Sequence, residues 1–315
     1  MKVAILESLG ISHEELMSLE APFVKEGVEF VEYQKTLDVE ELKAETAGAD
    51  AVIIANMPYP SSVIASSDKL KFIDVAFTGT DHVGLDAARE KGISVSNASG
   101  YSNEAVSELV LGMVLSFMRN ITQVEARCRE GKDKTGLVGC EIKGKTVGII
   151  GLGKIGKRTA EIFNCLGATV LASSRSKHSD TPSYITEVEK EELLRESDIV
   201  VLHCPLTPET RGLIGKKELG IMKKSAILVN VARGPVVVEE DLVEALKEGE
   251  IAGALVDVFS AEPPLALSTP ILSAPNTLLT PHVAFATKES MSLRAKIVFE
   301  NLRAWMDGNV INKIV

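Results

Sequence analysis

The chain has 315 residues, which is enough for two domains of ordinary size. Apolar residues make up 45% of it and charged residues 25%, as in typical globular proteins. The net charge of −10 argues against a protein that coats nucleic acid or binds an acidic membrane surface. It leaves open the binding of a small anion, because a few local cations are enough for that.

Neither a membrane span nor a secretory signal is predicted. No apolar run reaches the roughly 18 residues that a spanning helix needs. The apolar segment 1–6 is short and is followed by Glu7, which predicts a first buried strand. The four cysteines, Cys128, Cys140, Cys165 and Cys204, show neither CxxC spacing nor partner histidines at zinc-finger spacing. We therefore expect reduced thiols, no metal site and a cytoplasmic location.

Short apolar runs alternate with helical patterns along most of the chain, which predicts parallel sheets covered by helices on both faces. In the first third the predicted strands are 3–6, 51–54, 72–75 and 93–95, and the predicted helices are 13–26, 39–47 and 85–91. A long amphipathic helix at 103–119 is followed by a polar connecting segment, 127–144. Beyond it the predicted strands are 145–150, 168–172, 198–204, 226–231, 251–258 and 277–280, and the predicted helices are 156–166, 187–196, 241–248 and 288–306.

A GxGxxG motif links the first strand and the first helix of this second run. Its glycines are Gly151, Gly153 and Gly156. In that context the first glycine permits a tight turn, the second lets the backbone approach a pyrophosphate, and the third allows close packing of helix on strand. The motif predicts a dinucleotide-binding domain, with a purely structural glycine turn as the alternative.

The next strand ends without the acidic residue that would accept from an adenosine ribose hydroxyl. Ser174 and Arg175 stand there instead, with Lys177 close behind. A serine and two cations suit a 2′-phosphate, whereas an acid would repel it. We therefore predict NADP as the cofactor. NAD stays possible if Arg175 is only a solvated loop residue.

Three reactive side chains follow later strands at the edge where parallel sheets bind ligands. They are Arg233, Glu262 and His282. An arginine can bind a substrate carboxylate through two parallel hydrogen bonds, and a histidinium can protonate a ketone oxygen. A carboxylate against the other imidazole nitrogen favours the charged form of the histidine. The set predicts the reduction of a keto acid, although each residue alone could be structural.

These motifs together resemble the D-isomer-specific 2-hydroxyacid dehydrogenases, including their glyoxylate and hydroxypyruvate reductases. The similarity covers nearly the whole chain. It rests on Gly151–Gly156, on LHCPLTPETR at 202–211, on NVARG at 230–234, on Asp257-Val258-Phe259 with Glu262-Pro263, and on Pro281-His282.

The resemblance implies an α/β fold of two doubly wound parallel-sheet domains. A Rossmann cofactor domain, 99–286, would be inserted into a flavodoxin-like substrate domain made of 1–98 and 287–315. The active site would lie in a cleft that closes by hinge motion. The protein would be a homodimer formed through the cofactor domain, with the 120–145 arm reaching the partner.

The resemblance also implies roles for further residues. Arg233, Glu262 and His282 would form the catalytic set, and Asp257 would hold the nicotinamide carboxamide. Lys154 and Ile155 would approach the pyrophosphate through their amides. Further cofactor contacts would come from Cys204, Pro205, Thr210 and Val231. Backbone amides at Asn56, Met57 and Gly79 would bind the substrate carboxylate, together with Arg233 and His282.

One departure from the family bears on the substrate. The loop at Ala55-Asn56-Met57 lacks the arginine that is usual in phosphoglycerate dehydrogenases. We therefore expect a small 2-keto acid, such as glyoxylate or hydroxypyruvate, to be reduced to the D-2-hydroxy acid. The alternatives are an NAD-dependent phosphoglycerate or D-lactate dehydrogenase, a formate or phosphite dehydrogenase, and a nucleotide-sensing protein that resembles the family's corepressors.

Overall fold

The computed structural model describes residues 1–175, 180–261 and 263–315. Its internal contacts divide the chain into two compact units. Unit 1 comprises Met1–Ser102 and Ala286–Val315, and unit 2 comprises Asn103–Phe285. Elements are numbered below in chain order.

Unit 1 is built on a five-stranded parallel sheet. Its strands are β1 (Lys2–Ile5), β2 (Glu29–Glu32), β3 (Ala51–Ile54), β4 (Phe72–Val75) and β5 (Ser94–Asn97). Its helices are α1 (His13–Lys25), α2 (Val39–Thr46), α3 (Ser61–Ser66), α4 (Leu85–Glu90) and α11 (Lys288–Met306). The strand order β2-β1-β3-β4-β5 is that of flavodoxin-like sheets. The order reverses between β1 and β3, so the switch point of this sheet lies between the loops that follow those two strands.

Unit 2 is built on a seven-stranded parallel sheet. Its strands are β6 (Thr146–Ile150), β7 (Thr169–Ser173), β8 (Ile185–Glu187), β9 (Ile199–Leu202), β10 (Ile227–Asn230), β11 (Gly253–Val256) and β12 (Thr277–Leu279). Its helices are α5 (Asn103–Met118), α6 (Ile121–Arg129), α7 (Lys154–Cys165), α8 (Lys190–Glu196), α9 (Lys216–Ile221) and α10 (Glu239–Glu248), with short 3-10 turns at Gly234–Val236 and Pro270–Ser273.

The strand order in unit 2, β12-β11-β10-β9-β6-β7-β8, is the doubly wound order of dinucleotide-binding sheets with one added strand. Its switch point lies between the loops after β6 and β9. Alternate residues of the central strands enter opposite cores: Val200 and Leu202 pack on one side, and Ile199 and Val201 on the other. Burial on both faces explains why these strands are continuous apolar runs. The predicted fold class, two doubly wound parallel sheets, is confirmed.

The structure adds elements that the sequence analysis did not predict: β2, α3, α6, β8 and α9. β2 and β8 are edge strands, and each is paired with a neighbour on one side only. Because edge strands are less buried, these two lack the continuous apolar run that predicts a strand. α6 has no buried residue and occupies part of the segment expected to be a connecting arm. Short or exposed elements carry little hydrophobic periodicity, which is why the prediction missed them.

One further property concerns membrane-spanning segments. No single helix in the described ranges is long and apolar enough to cross a membrane. α5 and α6 together pass the same test of length and composition, but they are bent by 58° at the break between them.

Candidate active site

The glycine-rich turn after β6 is shaped by its three glycines. Gly151 takes a φ of 101°, and a Cβ there would lie 2.6 Å from the Cys204 amide nitrogen. A Cβ on Gly156 would overlap the carbonyl oxygen of Gly151, so only glycine lets α7 lie this close to the turn. A Cβ on Gly153 would meet no atom within 4 Å, so the structure leaves open space beside that residue.

The first turn of α7 can hold a phosphate. The helix begins at Lys154 after Gly153, and no side chain within the described ranges caps it. Its first amides, including those of Lys154 and Ile155, therefore have no intrahelical partner, and the helix dipole favours an anion there. The turn thus fits the pyrophosphate of a dinucleotide. Among the residues that the structure describes, no cluster of histidine, cysteine and acidic side chains could hold a metal ion.

The residues predicted to select the ribose follow β7. The Arg175 side chain is 79% exposed, and its Nη1 atom lies 4.0 Å from Oε2 of Glu209. An exposed ion pair of this kind contributes little free energy, so the guanidinium remains accessible to an anion. Ser174 precedes it and is half-buried. Lys177, the third predicted residue, lies outside the described residues.

The segment after β9 lies against the glycine turn. Cys204 is buried, and burial raises the pKa of its thiol to about 11, so it stays protonated. Pro205 is exposed beside it. The Thr210 hydroxyl donates to the Pro205 carbonyl at 2.6 Å and accepts from the Thr207 amide at 2.7 Å. Thr210 therefore fixes the shape of this turn.

His203, which the sequence analysis assigned no role, links three elements of unit 2. Its Nε2 atom lies 2.9 Å from the Thr159 hydroxyl of α7, which donates to the Ser107 hydroxyl of α5 at 3.0 Å. Burial of the imidazole lowers the pKa of His203 to about 3, so the side chain is neutral at physiological pH. A neutral imidazole in such a chain of hydroxyls is a structural group.

Arg233 emerges from a turn that Asn230 holds. The Asn230 side-chain oxygen accepts from the Ala232 amide at 3.1 Å, and its side-chain nitrogen donates to the Arg233 carbonyl at 3.1 Å. One guanidinium nitrogen of Arg233 donates to the Ala232 carbonyl at 2.9 Å. Val231 is buried in the same turn. The backbone at Arg233 is thus fixed by a buried amide side chain at the end of β10.

His282 lies on a loop that Asp257 organises. The Asp257 carboxylate accepts from the Thr280 hydroxyl at 2.5 Å and from the amides of Val283 and Ala284 at 2.9 Å each. The His282 amide donates to the Asp257 carbonyl at 2.8 Å. These bonds hold His282 at a φ of 55°, in the left-handed region.

Asp257 itself is fully buried. Burial raises the pKa of Asp257, although the hydrogen bonds from Thr280, Val283 and Ala284 oppose that rise. The structure therefore gives Asp257 the role of holding the His282 loop. The predicted contact of Asp257 with a nicotinamide carboxamide stays a prediction.

The sheet order brings these groups to one edge. Arg233, Asp257 and His282 follow β10, β11 and β12, which are neighbours in the sheet. The Phe285 ring stands edge-on to the His282 ring, with centroids 5.3 Å apart. Glu262, the predicted partner of the imidazole, lies outside the described residues.

In unit 1 the amides of Asn56 and Met57, which were predicted to bind the substrate carboxylate, lie against a carboxylate of the chain itself. Their amides donate to Oε2 of Glu7 at 2.7 and 2.9 Å, and the Ala55 amide donates to the same atom at 3.0 Å. A substrate carboxylate would have to displace Glu7 from these amides, and the predicted substrate contacts of Asn56 and Met57 stay predictions.

The loop at Gly79 differs in this respect. Among the described residues, neither the Thr78 amide nor the Gly79 amide donates to a protein acceptor. The Thr78 carbonyl accepts from the Asn97 side chain at 2.7 Å, which fixes the peptide between Thr78 and Gly79. Gly79 therefore keeps its predicted role as a prediction, with an open amide in its support.

The roles of Glu7, Asn230 and Thr280 could not be read from the sequence. Each acts through hydrogen bonds to backbone groups that are distant in sequence or that depend on the form of a turn. Such acceptors and donors leave no residue pattern. Only the strand order, which places Glu7 beside the 55–57 loop, could have suggested one of them.

Comparisons with known proteins agree with this description. A sequence profile of the D-isomer specific 2-hydroxyacid dehydrogenase NAD-binding domain matches residues 111–284. A hydroxypyruvate reductase of Blautia hydrogenotrophica is 36% identical over 90% of this chain and 92% of its own length. A D-3-phosphoglycerate dehydrogenase of Methanocaldococcus jannaschii is 36% identical over 93% of this chain and 56% of its own length.

A similar fold is found in a solved structure. An acyclic imino acid reductase, crystallised with NADPH and D-Arg, superimposes with a TM-score of 0.91 at 27% identity, over the full length of both chains. The profile is described by NAD and this structure contains NADPH, so the comparisons support a nicotinamide cofactor of either kind.

Proposed function

This chain belongs to the D-isomer specific 2-hydroxyacid dehydrogenase family, and from that premise we propose that it reduces a small 2-keto acid to the D-2-hydroxy acid with NADPH. Glyoxylate and hydroxypyruvate are the proposed substrates. The observation that carries the proposal is the placement of Arg233 and His282 at the same edge of one sheet, after the two strands that flank β11, on turns fixed by Asn230 and Asp257.

The residues of this chain would act on the two ends of the substrate. The planar guanidinium of Arg233 would bind the carboxylate and polarise the adjacent carbonyl. Protonated His282 would donate a proton to the carbonyl oxygen as negative charge develops there. Glu262 is proposed to favour the charged imidazole, by the chemistry of a neighbouring carboxylate. A bound reduced nicotinamide would supply the hydride.

The proposed preference for NADPH rests on Ser174 and Arg175. A hydroxyl and an exposed guanidinium at the end of β7 can donate to a 2′-phosphate. Glu209 near Arg175 works against this, but the exposed pair is weak and a phosphate carries more charge than one carboxylate. The balance favours NADPH.

The proposed substrate size rests on the loop at 55–57. This loop contains no cation, and its amides are bound to Glu7. A phosphate group on the substrate would therefore find these three amides occupied. The hydroxypyruvate reductase among the relatives supports the smaller substrate, and the phosphoglycerate dehydrogenase defines the rival that the assay must include.

We also propose a cytoplasmic homodimer that contacts its partner through the 120–145 arm. The α6 helix has no buried residue, and the Val138 side chain is 79% exposed, as expected of a surface that another copy covers. The four free cysteines support a reducing compartment. Sedimentation of the purified protein tests the assembly.

The direct test of the function follows oxidation of the reduced cofactor by its absorbance. Glyoxylate, hydroxypyruvate, pyruvate and phosphohydroxypyruvate are each offered with NADPH and with NADH. We expect oxidation of NADPH with glyoxylate or hydroxypyruvate. Activity with NADH alone would overturn the cofactor preference, and activity with phosphohydroxypyruvate alone would overturn the substrate. No oxidation with any pair would overturn the proposed activity as a whole.

A further inference from the structure

The Glu7 carboxylate lies at the switch point of the unit 1 sheet, between the loops that follow β1 and β3. Its Oε2 atom accepts hydrogen bonds from three consecutive amides, Ala55, Asn56 and Met57, at 2.7 to 3.0 Å. Its Oε1 atom accepts from Nζ of Lys35 at 2.7 Å. The side chain is only 12% exposed.

Three adjacent amides that converge on one oxygen form an anion-binding site. A lysine ammonium beside them adds a full positive charge. Burial alone would raise the pKa of Glu7, but the hydrogen bonds from Lys35, Met57 and Asn56 outweigh it and hold the pKa below its ordinary value of 4.5. Glu7 is therefore a bound anion at neutral pH, supplied by the chain itself.

The surroundings of this site are rigid. The Met57 and Tyr59 side chains are fully buried, and the Tyr59 hydroxyl lies 3.0 Å from the Thr46 hydroxyl. The loop after Glu7 is held by Arg294, whose guanidinium donates to the Leu9 carbonyl at 2.6 Å. Removal of the Glu7 carboxylate would thus leave a formed cavity with its donors still in place.

We propose that Glu7 occupies an anion-binding site of the 55–57 loop and thereby makes the protein discriminate against substrates that carry a second anionic group. It is a positioning residue for the loop and a specificity determinant at the same time. The specificity rests on the proposed function, in which loops at this edge bind the substrate. The anion site itself does not depend on it.

The physical basis of the discrimination is charge. With Glu7 present, the three amides are satisfied and the lysine charge is balanced. A second phosphate or carboxylate would meet a negative group and three occupied amides, which is an effective way to reject it. Without Glu7, the same place would present three amides and one ammonium to that anion.

The anion site is tested by removal of the carboxylate from the full-length protein. The midpoint of thermal unfolding is measured for Glu7→Ala in rising sodium acetate, with sodium chloride at equal ionic strength as the reference. We expect acetate to raise the midpoint of Glu7→Ala, because it binds the folded state. It should not move wild type or Glu7→Gln, in which a side chain still fills the site. Glu40→Ala, which removes an exposed carboxylate paired with Lys43, is the matched control.

An acetate effect on Glu7→Ala alone supports the site. An equal effect on all variants, or none on any, overturns it. If Glu7→Ala is recovered unfolded, the titration is made during refolding, where acetate must restore the folded protein and chloride must not. Failure of acetate there also overturns the proposal.

The specificity is tested with Glu7→Gln, which keeps the volume and loses the charge. We expect the ratio of kcat/KM for phosphohydroxypyruvate to that for hydroxypyruvate to rise about tenfold over wild type. Glu40→Gln should leave the ratio unchanged, and an unchanged ratio in Glu7→Gln would overturn the discrimination. If wild type reduces neither keto acid, the proposed function has failed, and the acetate experiment still decides the anion site.

Discussion

The two switch points of the molecule offer similar backbone chemistry but differ in what fills them. In unit 2, the amides that begin α7 follow a turn of glycines and have no capping side chain among the described residues. In unit 1, the amides of 55–57 are bound by the Glu7 carboxylate. Both places suit an anion.

The difference shows how a few side chains decide the use of one architecture. Gly153 leaves space beside the α7 amides, so a ligand must supply the anion there. Glu7 reaches across from β1, so the unit 1 loop needs no ligand to be satisfied. A site at the carboxyl edge of a doubly wound sheet is therefore a binding site only if the chain does not fill it.

The largest effect is expected from a substitution of His282, the proposed proton donor at the carboxyl edge of the unit 2 sheet. His282→Ala should lower kcat by about 10² to 10⁴-fold, because the proton donor is lost. The Kd for NADPH, measured by fluorescence titration, should not change. His13→Ala, an exposed histidine of unit 1, is the control. Activity within a few-fold of wild type would contradict the role of His282.

The next largest effect is expected from a substitution of Arg233. Arg233→Lys should lower kcat/KM by about 10- to 100-fold, because a point charge cannot replace two parallel hydrogen bonds to a carboxylate. Arg195→Lys on the exposed face of α8 serves as the control. An unaffected kcat/KM in steady-state assays would exclude Arg233 as the carboxylate anchor.

Gly156→Ala should distort the anion site formed by the glycine turn and the first amides of α7. Its Cβ would overlap the Gly151 carbonyl oxygen, so α7 must move away from the turn. We expect a loss of about 1–3 kcal/mol in the free energy of unfolding and weaker binding of NADPH and NADH alike. Gly220→Ala in α9, where a Cβ meets no atom within 4 Å, should cost nothing. Urea denaturation of the two variants compares them, and equal stabilities would refute the close packing.

Arg175→Ala tests the proposed preference for NADPH over NADH. It should raise the Kd for NADPH about tenfold and leave that for NADH unchanged, because one charge-assisted bond to a phosphate is lost. Glu209→Gln removes the opposing carboxylate and should act in the other direction. If Arg175→Ala binds both cofactors as wild type does, the basis for NADPH preference is gone.

The smallest effect concerns the filled site of unit 1. Since the pKa of Glu7 is lower in the folded state than its ordinary 4.5, its carboxylate stabilises the fold above that pH. Glu7→Gln should be less stable than wild type by about 1 kcal/mol at neutral pH. The difference should shrink as the pH falls below 4.5 toward the folded pKa of Glu7, whose nearby cations are Lys35 and Arg294. Urea unfolding as a function of pH measures it, and a difference that grows on acidification would contradict this sign.

Much of the fold could be predicted because buried parallel strands are continuous apolar runs. Strands 51–54 and 72–75 and the 288–306 helix have the predicted bounds. The glycine turn was predictable for a similar reason, since its motif reflects steric limits at Gly151 and Gly156.

The hydrogen bonds from side chains to backbone groups could not be predicted from the sequence. The fully buried Asp257 holds the His282 loop, and Glu7 takes the amides of Asn56 and Met57. In each case the partner is an amide, which every residue possesses. Prediction of such contacts requires the register and spacing of loops that meet only in the folded sheet.

The most direct test of the proposed reaction follows the hydrogen itself. Hydroxypyruvate is reduced with NADPH that carries deuterium at the transferable C4 position, and the product is analysed by mass spectrometry and chiral chromatography. We predict D-glycerate with one deuterium at C2 for each NADPH consumed. Unlabelled product, or L-glycerate, would contradict the account, because neither can arise from direct transfer at a D-specific site.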